Sequence, residues 1–493
     1  MFDLIVRKVD DINMFIECEA GIAHELQEFF SYKADGYRFH PKYKAKMWDG
    51  NIKLFGAWRR TLYIGLLHHL KIFAKNSGYT ISIDPMLEAK TDITPKDIVD
   101  YLDTLKLHAH GKPITPRDYQ YYAVYHAIYH KRSTIVAPTS AGKSLNIYGT
   151  VRWYCDNYKK KVLIIVPTVT LVTQMYADFG DYSSIVKWNN EDEVHRISAG
   201  EDKSTDKQIV VSTWQSIYKQ PIEWFSQFGM IYCDEVHGAK AKSIKDIMEK
   251  TVKCEFKIGT TGTTGSKKVN DLLIQGVFGR IKKTISTKEL MDRKQVAKLT
   301  IKCVSLLYPD IERKECRNKS YQEEIDYLVN HNKRNKMIVD SIGDMSGNQL
   351  VLVNKVDHVK ILYGLAKKKY PNKNVYMIYG GTSKEEREEI RLAIDKDNNS
   401  LLFATYGTFS TGVSIRNINH VIFGSPSKSE IRVLQSLGRG LRLSETKTTV
   451  ILWDIVDDLS IKKHKNYTLK HFIERFKIYT KEKFEMEMIK VNL

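Results

Sequence analysis

The stretch that most constrains this chain is Ala137-Pro138-Thr139-Ser140-Ala141-Gly142-Lys143-Ser144. The apolar run Thr134-Ile135-Val136 precedes it, and Leu145-Asn146-Ile147-Tyr148 follows as the opening turns of a helix. A strand, a loop of small residues, Gly-Lys-Ser and a helix together form an arrangement that binds the phosphates of a nucleoside triphosphate. Backbone N–H groups wrap the β-phosphate, and the helix N-terminus adds its partial positive charge. In this reading Thr139, Ser140, Ala141, Gly142, Lys143 and Ser144 bind ATP. Lys143 reaches the β- and γ-phosphates, and the Ser144 hydroxyl holds Mg²⁺. Ala137 stands where such loops usually open on glycine. Gly-Lys-Ser alone is common in surface loops, so the flanking strand and helix carry the reading.

Charge narrows the partner. Lys plus Arg total 77 against 58 Asp plus Glu, a net charge of +19. That excess favours a polyanion, nucleic acid before an acidic membrane surface, with a merely lysine-rich protein as the bland alternative. Cys18, Cys155, Cys233, Cys254, Cys303 and Cys316 form no C-x-x-C pair, which argues against a zinc site or a disulfide framework. The N-terminus has no basic-then-apolar leader, and no apolar run is long enough to span a bilayer. A soluble cytoplasmic protein with no membrane partner is expected.

At 493 residues the chain has room for about three domains. Residues 1–85 read as a small α/β (α+β) module, with strands at Leu4–Val6, Met14–Ile16, Ile52–Phe55 and Leu62–Ile64 and helices at Ala20–Phe30 and Leu66–Lys75. Charge is segregated there. Residues 1–30 carry two basic and seven acidic side chains, and residues 31–75 carry ten basic and two acidic. The basic half contains Tyr37-Arg38-Phe39-His40-Pro41-Lys42-Tyr43-Lys44-Ala45-Lys46-Met47-Trp48. Arg38, Lys42, Lys44 and Lys46 suit phosphates, and Trp48 and its aromatic neighbours suit bases or a junction. Equally, Phe39 and Trp48 are core residues and the lysines a solvated face. Residues 86–112 read as a connector with a helix starting at Pro95.

From residue 113 strands and helices alternate, the mark of doubly wound parallel sheets. Val162–Val166, Ile209–Val211 and Met230–Cys233 are buried strands of a first such domain, 113–284. Leu350–Val353, Val375–Ile378, Leu401–Ala404, His420–Phe423 and Val450–Trp453 belong to a second, 285–493. Periodicity makes Tyr467 to Val491 a C-terminal helix. Asp234-Glu235-Val236-His237 follows the Met230–Cys233 strand. Asp234 at a strand end can hold Mg²⁺, and Glu235 can polarise the attacking water.

With these residues in order the chain resembles the superfamily-two helicases and translocases of the Asp-Glu-x-His type. The likeness covers residues 113–493 and implies two tandem RecA-like domains. It implies that Gln120, in Arg117-Asp118-Tyr119-Gln120, reads the adenine. Thr168, in Pro167-Thr168-Val169-Thr170-Leu171, and Thr213 and Gln215, in Ser212-Thr213-Trp214-Gln215-Ser216, would track the nucleic-acid backbone. Gly259-Thr260-Thr261-Gly262-Thr263 resembles the segment coupling hydrolysis to strand movement. Thr261 and Thr263 belong to that coupling with His237, and Gly262 stands where alanine is usual. Ala404-Thr405-Tyr406-Gly407-Thr408-Phe409-Ser410-Thr411-Gly412 resembles the motif touching both strand, through Thr405, and ATP, through Gly412. Gln435-Ser436-Leu437-Gly438-Arg439-Gly440-Leu441-Arg442 matches Gln-x-x-Gly-Arg-x-x-Arg. There Gln435 couples, and Arg439 and Arg442, on one helix face, neutralise the γ-phosphate as an arginine finger does.

Within the family the likeness is to phage recombination helicases that remodel branched DNA. It implies migration of forks and Holliday junctions and removal of RNA from R-loops, in recombination, repair and replication. The partner would be branched DNA, with RNA in RNA–DNA hybrids as a second, and the protein a monomer in the host bacterial cytoplasm. An RNA helicase and a duplex-DNA translocase without strand separation share the core motifs. Lys143, Asp234, Glu235, Arg439 and Arg442 argue against an annealing or scaffold protein without hydrolysis. A restriction-complex motor would need a nuclease domain, and no further carboxylate cluster suggests one.

Overall fold

The structure, a computed structural model, describes residues 2–34, 36–198, 202–236, 241–262, 268–343, 345–412, 415, 417–425 and 448–493. Two compact units emerge: Met1–Ala137 with Gly142–Thr284, and Ile285–Leu493 with Pro138–Ala141.

In the first unit the N-terminal residues form a four-stranded sheet in the order Thr61–Tyr63, Asn13–Glu17, Leu4–Lys8, Ile81–Ile83. Alternation aims Leu4, Val6, Met14 and Ile16 at one core, which Ile22, Leu26, Leu70 and Phe73 of helices Ala20–Phe29 and Leu67–Ser77 complete. Gly78, at φ 73°, ends the second helix. A separate antiparallel ribbon, Ser31–Lys33 with Asn51–Lys53, carries the basic block between its strands.

The larger sheet is parallel throughout, in the order Val194–Ile197, Ile209–Thr213, Lys161–Val166, Phe228–Cys233, Phe256–Thr261, Arg132–Val136, Ile281–Lys283. Continuous apolar runs make its strands because both faces are covered. Val162, Ile164 and Val166 enter one core, and Leu163 and Ile165 the other. Helix Pro95–Thr104, opened by the Thr94–Asp97 capping box, sends Ile98 and Leu102 into the first of these cores.

The Phe256–Thr261 strand is hidden in the sequence by Lys257. This lysine is 1% exposed, and its Nζ donates to the carbonyls of Asp11 at 2.7 Å and Thr251 at 3.0 Å. Arg132 also donates to the Asp11 carbonyl, and Asp11 N donates to the Val252 carbonyl at 3.0 Å. One turn of the N-terminal module is thereby held on the parallel sheet by two cations. Tyr63 adds a hydrogen bond to Glu249 at 2.7 Å.

The second unit repeats the design: Asn374–Ile378, Ser400–Thr405, Gln349–Val353, His420–Phe423, Thr449–Asp458, Lys298–Leu307, Glu485–Asn492, again all parallel. Its last strand corrects the sequence reading. The C-terminal helix stops at Lys481, Lys483 turns the chain at φ 57°, and Glu485–Asn492 pairs with Lys298–Leu307. A sheet edge far away in sequence overrides local helical periodicity.

Two fully buried ion pairs anchor this unit. Arg475 grips Asp454 at 2.7 and 2.8 Å, and Arg334 grips Asp457, which also accepts Tyr308 OH at 2.7 Å. Asp457→Ala strands the Arg334 charge inside. The expected cost is ~3–5 kcal/mol, read as a lowered urea midpoint; an unchanged midpoint would show that water reaches the guanidinium.

Candidate active site

The first parallel sheet presents its candidate residues where strands end. The phosphate loop follows Arg132–Val136, Thr168 follows Lys161–Val166, and Thr213 ends Ile209–Thr213. Asp234 and Glu235 follow Phe228–Cys233, and Thr261 ends Phe256–Thr261. Ligands of open parallel sheets bind along this carboxyl edge.

Within the loop, Ser140 (φ 71°) and Gly142 (φ 78°) take the left-handed backbone, and Ala137 does not. The alanine that replaces the expected glycine therefore sits where a Cβ costs nothing. It is fully buried, and its N–H donates to the Thr261 carbonyl at 3.0 Å. Gly142 is different: a Cβ there would lie 2.2 Å from Gln120 Nε2. Gln120 is buried at the start of helix Asp118–His130, its Oε1 accepting from Arg117 N at 2.8 Å. The predicted base-reading residue and the phosphate loop are thus in contact.

Lys143 opens helix Lys143–Asn157, and its Nζ meets Glu235 Oε1 at 2.5 Å. Glu235 Oε2 accepts from Gly262 N at 3.2 Å. A Cβ on Gly262 would come within 3.3 Å of Lys143 Nζ, so the departure from alanine leaves the ammonium room. Glu235 holds φ 50°, a backbone that costs a non-glycine residue ~1–3 kcal/mol and recurs at functional sites. Asp234 Oδ1 accepts from Thr260 Oγ1 at 2.8 Å and from Glu235 N at 3.0 Å. Burial, and then the adjacent Glu235 charge, push the Asp234 carboxyl up; Lys143 and the Thr260 hydrogen bond pull against them. Ser144 Oγ lies 2.8 Å from Tyr182 OH.

Sequence reasoning missed Thr260 and Tyr182. Thr260 lies within the Gly259-Thr260-Thr261-Gly262-Thr263 segment, where the resemblance points to Thr261 and Thr263 instead; Tyr182, at the end of helix Val169–Tyr182, has no spacing to announce it.

Thr168 caps helix Val169–Tyr182, accepting from Leu171 N at 3.3 Å. Thr213 is buried against Ser216 at 3.0 Å, leaving exposed Gln215 as the accessible member of its pair. In the second unit Thr405 is buried, bonded to Thr408 at 2.9 Å, at the start of helix Tyr406–Gly412, which Gly412 ends. His237, Thr263, Gln435, Arg439 and Arg442 lie outside the described residues.

In the N-terminal block the aromatics divide. Trp48 is half-buried, donating to the Asn51 carbonyl at 2.9 Å and packing on His40. Tyr37 packs on Tyr43 and covers Gly50, where φ is 79°. Arg38, Lys42, Lys44 and Lys46 are exposed. Phe39 at 80%, Met47 at 77% and Trp58 at 99% exposure are the free apolar faces, and the last two were not singled out in the sequence.

A phosphate loop and an Asp-Glu pair at one sheet's carboxyl edge, with a second parallel-sheet unit behind them in the chain, define an ATP-dependent helicase of superfamily two. Three family models match: the DNA helicase UvsW N-terminal domain at residues 3–84, the type III restriction enzyme res subunit at 113–266, and the helicase conserved C-terminal domain at 333–444. The chain is 38% identical, over the whole of both chains, to the ATP-dependent DNA helicase uvsW of Enterobacteria phage T4. The crystal structure of T4 UvsW matches with a TM-score of 0.54 at 37% identity, covering 99% of each chain. A putative HsdR subunit of a type I restriction enzyme from Vibrio vulnificus shares the fold, with a TM-score of 0.58 at 17% identity over 87% of this chain and 83% of that one. The chain belongs to the UvsW family of DNA helicases. Among the described residues no helix is long and apolar enough to cross a membrane.

Proposed function

We propose that this protein uses ATP hydrolysis to move along DNA and to remodel branched DNA, namely forks, four-way junctions and R-loops, in recombination, repair and replication. The observation that carries the reading is the Lys143–Glu235 contact at 2.5 Å beside buried Asp234. An ammonium for phosphate, a carboxylate for water and a second carboxylate for a cation converge at one sheet edge. Lys143 neutralises the β- and γ-phosphates, and Glu235 orients the attacking water. Gln120 reads the adenine. Thr139, Ser140, Ala141 and Gly142 supply backbone N–H groups, and Arg439, Arg442 and Gly412 complete the nucleotide contacts.

Ser144 and Asp234 suit Mg²⁺: both offer hard oxygens, and a cation relieves the burial of the Asp234 charge. When bound, Mg²⁺ neutralises charge between the phosphates. Thr168, Thr213, Gln215 and Thr405 follow the strand, while His237, Thr261, Thr263 and Gln435 couple hydrolysis to movement. RNA paired to DNA is a second substrate, and the protein works as a monomer in the cytoplasm.

The N-terminal block supplies the preference for branches. Its lysines hold phosphates, Trp48 braces the block from within, and Phe39 and Trp58 present faces to unpaired bases. Changing Lys42, Lys44 and Lys46 together to alanine is expected to weaken junction binding and to lower the slope of log affinity against log salt by about 2–3. ATPase activity without DNA stays near wild type. Junction affinity that survives the change would make the block structural.

The direct test measures ATPase rates with single strands, plain duplex, a fork, a four-way junction and structured RNA. Forks and junctions should stimulate most. Equal stimulation by plain duplex would favour a simple translocase, and stimulation by RNA alone an RNA helicase.

A further inference from the structure

The residues placed so far occupy the carboxyl edge of the parallel sheets and the N-terminal ribbon. The outer flank of the first sheet, along its last strand, carries a cluster of positive charge that none of them uses. Helix Asp118–His130 runs along this flank, from Gln120 at the phosphate loop to His130 just before strand Arg132–Val136, and strand Ile281–Lys283 borders that strand with Lys282 opposite Ile135.

Tyr122, His126 and His130 follow one another four residues apart along one helix face, their ring centroids 5.9 and 4.4 Å apart. Lys282 Nζ lies 5.2 Å over the Tyr122 ring. Exposed Lys90 and Arg280 complete the rim. Burial first, and then the charges of Lys90, Arg280 and Lys282, press the His130 imidazole down to about 4; burial, then His130, and then the same three cations press His126 to about 3. Arg280 acts the same way on His68 of the N-terminal module, whose neighbour His69 bonds Gln275 at 3.1 Å. The patch therefore runs across both parts of this unit.

The carboxylates nearby are engaged elsewhere. Glu88 pairs with Lys71, Glu255 with Lys131 at 2.6 Å, and Asp11 with Lys8 at 2.8 Å. Among the described residues Lys90, Arg280 and Lys282 have no ion-pair partner. Like charges crowded on one face repel, and phosphate oxygens relieve that repulsion. The rings here pack on one another, and Lys282 covers Tyr122, so the surface offers charge rather than stacking faces. That suits a duplex backbone and not the bases of a single strand. Tyr122 to His130 spans about 12 Å of helix, enough for several phosphates. Strand Ile281–Lys283 is the last of the sheet, four strands across from Lys161–Val166, which leads to Thr168, a separation of about 19 Å.

We propose that Lys90, Arg280 and Lys282 form a second DNA site that holds the sugar-phosphate backbone of a duplex arm, on the flank of the sheet away from the strand path through Thr168 and Thr213. The proposal rests on the branched-DNA reading above. The test compares the full-length protein with a triple variant, Lys90→Ala, Arg280→Ala and Lys282→Ala. Binding to a four-way junction, a plain duplex and a single strand is followed by fluorescence anisotropy at several salt concentrations.

Junction and duplex Kd should rise at least about tenfold, and the log–log salt slope should fall by about 2–3. Single-strand Kd and single-strand-stimulated ATPase should stay within about twofold, which also reports that the variant folds. The charge-conserving set Lys90→Arg, Arg280→Lys and Lys282→Arg should bind as wild type. Unchanged junction and duplex binding in the alanine variant, or an equal loss on single strands, overturns the second site. Wild-type protein that binds neither duplex nor junction overturns the branched-DNA reading and this site with it.

Discussion

Lys143→Ala is expected to cut DNA-stimulated ATP turnover at least ~10³-fold, about 4 kcal/mol of transition-state stabilisation. Phosphoryl transfer leaves the protein little covalent chemistry, so positioning and charge supply nearly all of the catalysis. Lys143 is the ammonium at the head of the Lys143–Asn157 helix, where the helix N-terminus already favours phosphate. Its Nζ touches Glu235 at 2.5 Å, so its removal also leaves that carboxylate without its counter-charge. ATP affinity should fall as well, because in the proposed site Lys143 contacts the ground state too. Steady-state phosphate release with saturating DNA measures the effect, and turnover within tenfold of wild type would remove Lys143 from the site.

Glu235→Gln should separate binding from chemistry. Glutamine keeps the shape of the side chain and can still accept from Gly262 N, but it cannot polarise water as a carboxylate does. Turnover should fall ~10²–10⁴-fold, while ATP binding is kept or tightened. Tightening is expected because the amide no longer holds the Lys143 ammonium away from phosphate. Equilibrium nucleotide binding beside single-turnover hydrolysis reads both quantities. Parallel loss of binding and hydrolysis would assign Glu235 to holding the loop rather than to the water.

The buried strands were legible in the amino-acid order because parallel strands covered on both faces must be apolar throughout, as Val162 to Val166 shows. The Phe256–Thr261 strand was not, because Lys257 interrupts its run and finds its carbonyl partners only after folding. The same applies at the C-terminus, where pairing with Lys298–Leu307 turns Glu485–Asn492 into a strand. Side-chain alternation could have signalled it, but the edge that receives it lies far back in the chain.

At the site, order alone determined the phosphate loop, the Asp-Glu pair and the family's further motifs, since their chemistry depends on neighbours in sequence. Order also determined the basic block, because charge is a property of composition. Tertiary structure decided the rest. It showed why Ala137 is tolerated, since the left-handed backbone falls on Ser140 and Gly142 instead. It brought Thr260 to Asp234 and Tyr182 to Ser144, contacts between residues 26 and 38 positions apart. It turned Trp48 inward and left Phe39, Met47 and Trp58 in solvent. And it gathered Lys90, Arg280 and Lys282, scattered over nearly 200 residues, along one flank of the sheet. Exposure and long-range proximity are products of packing, and no local pattern of residues encodes them.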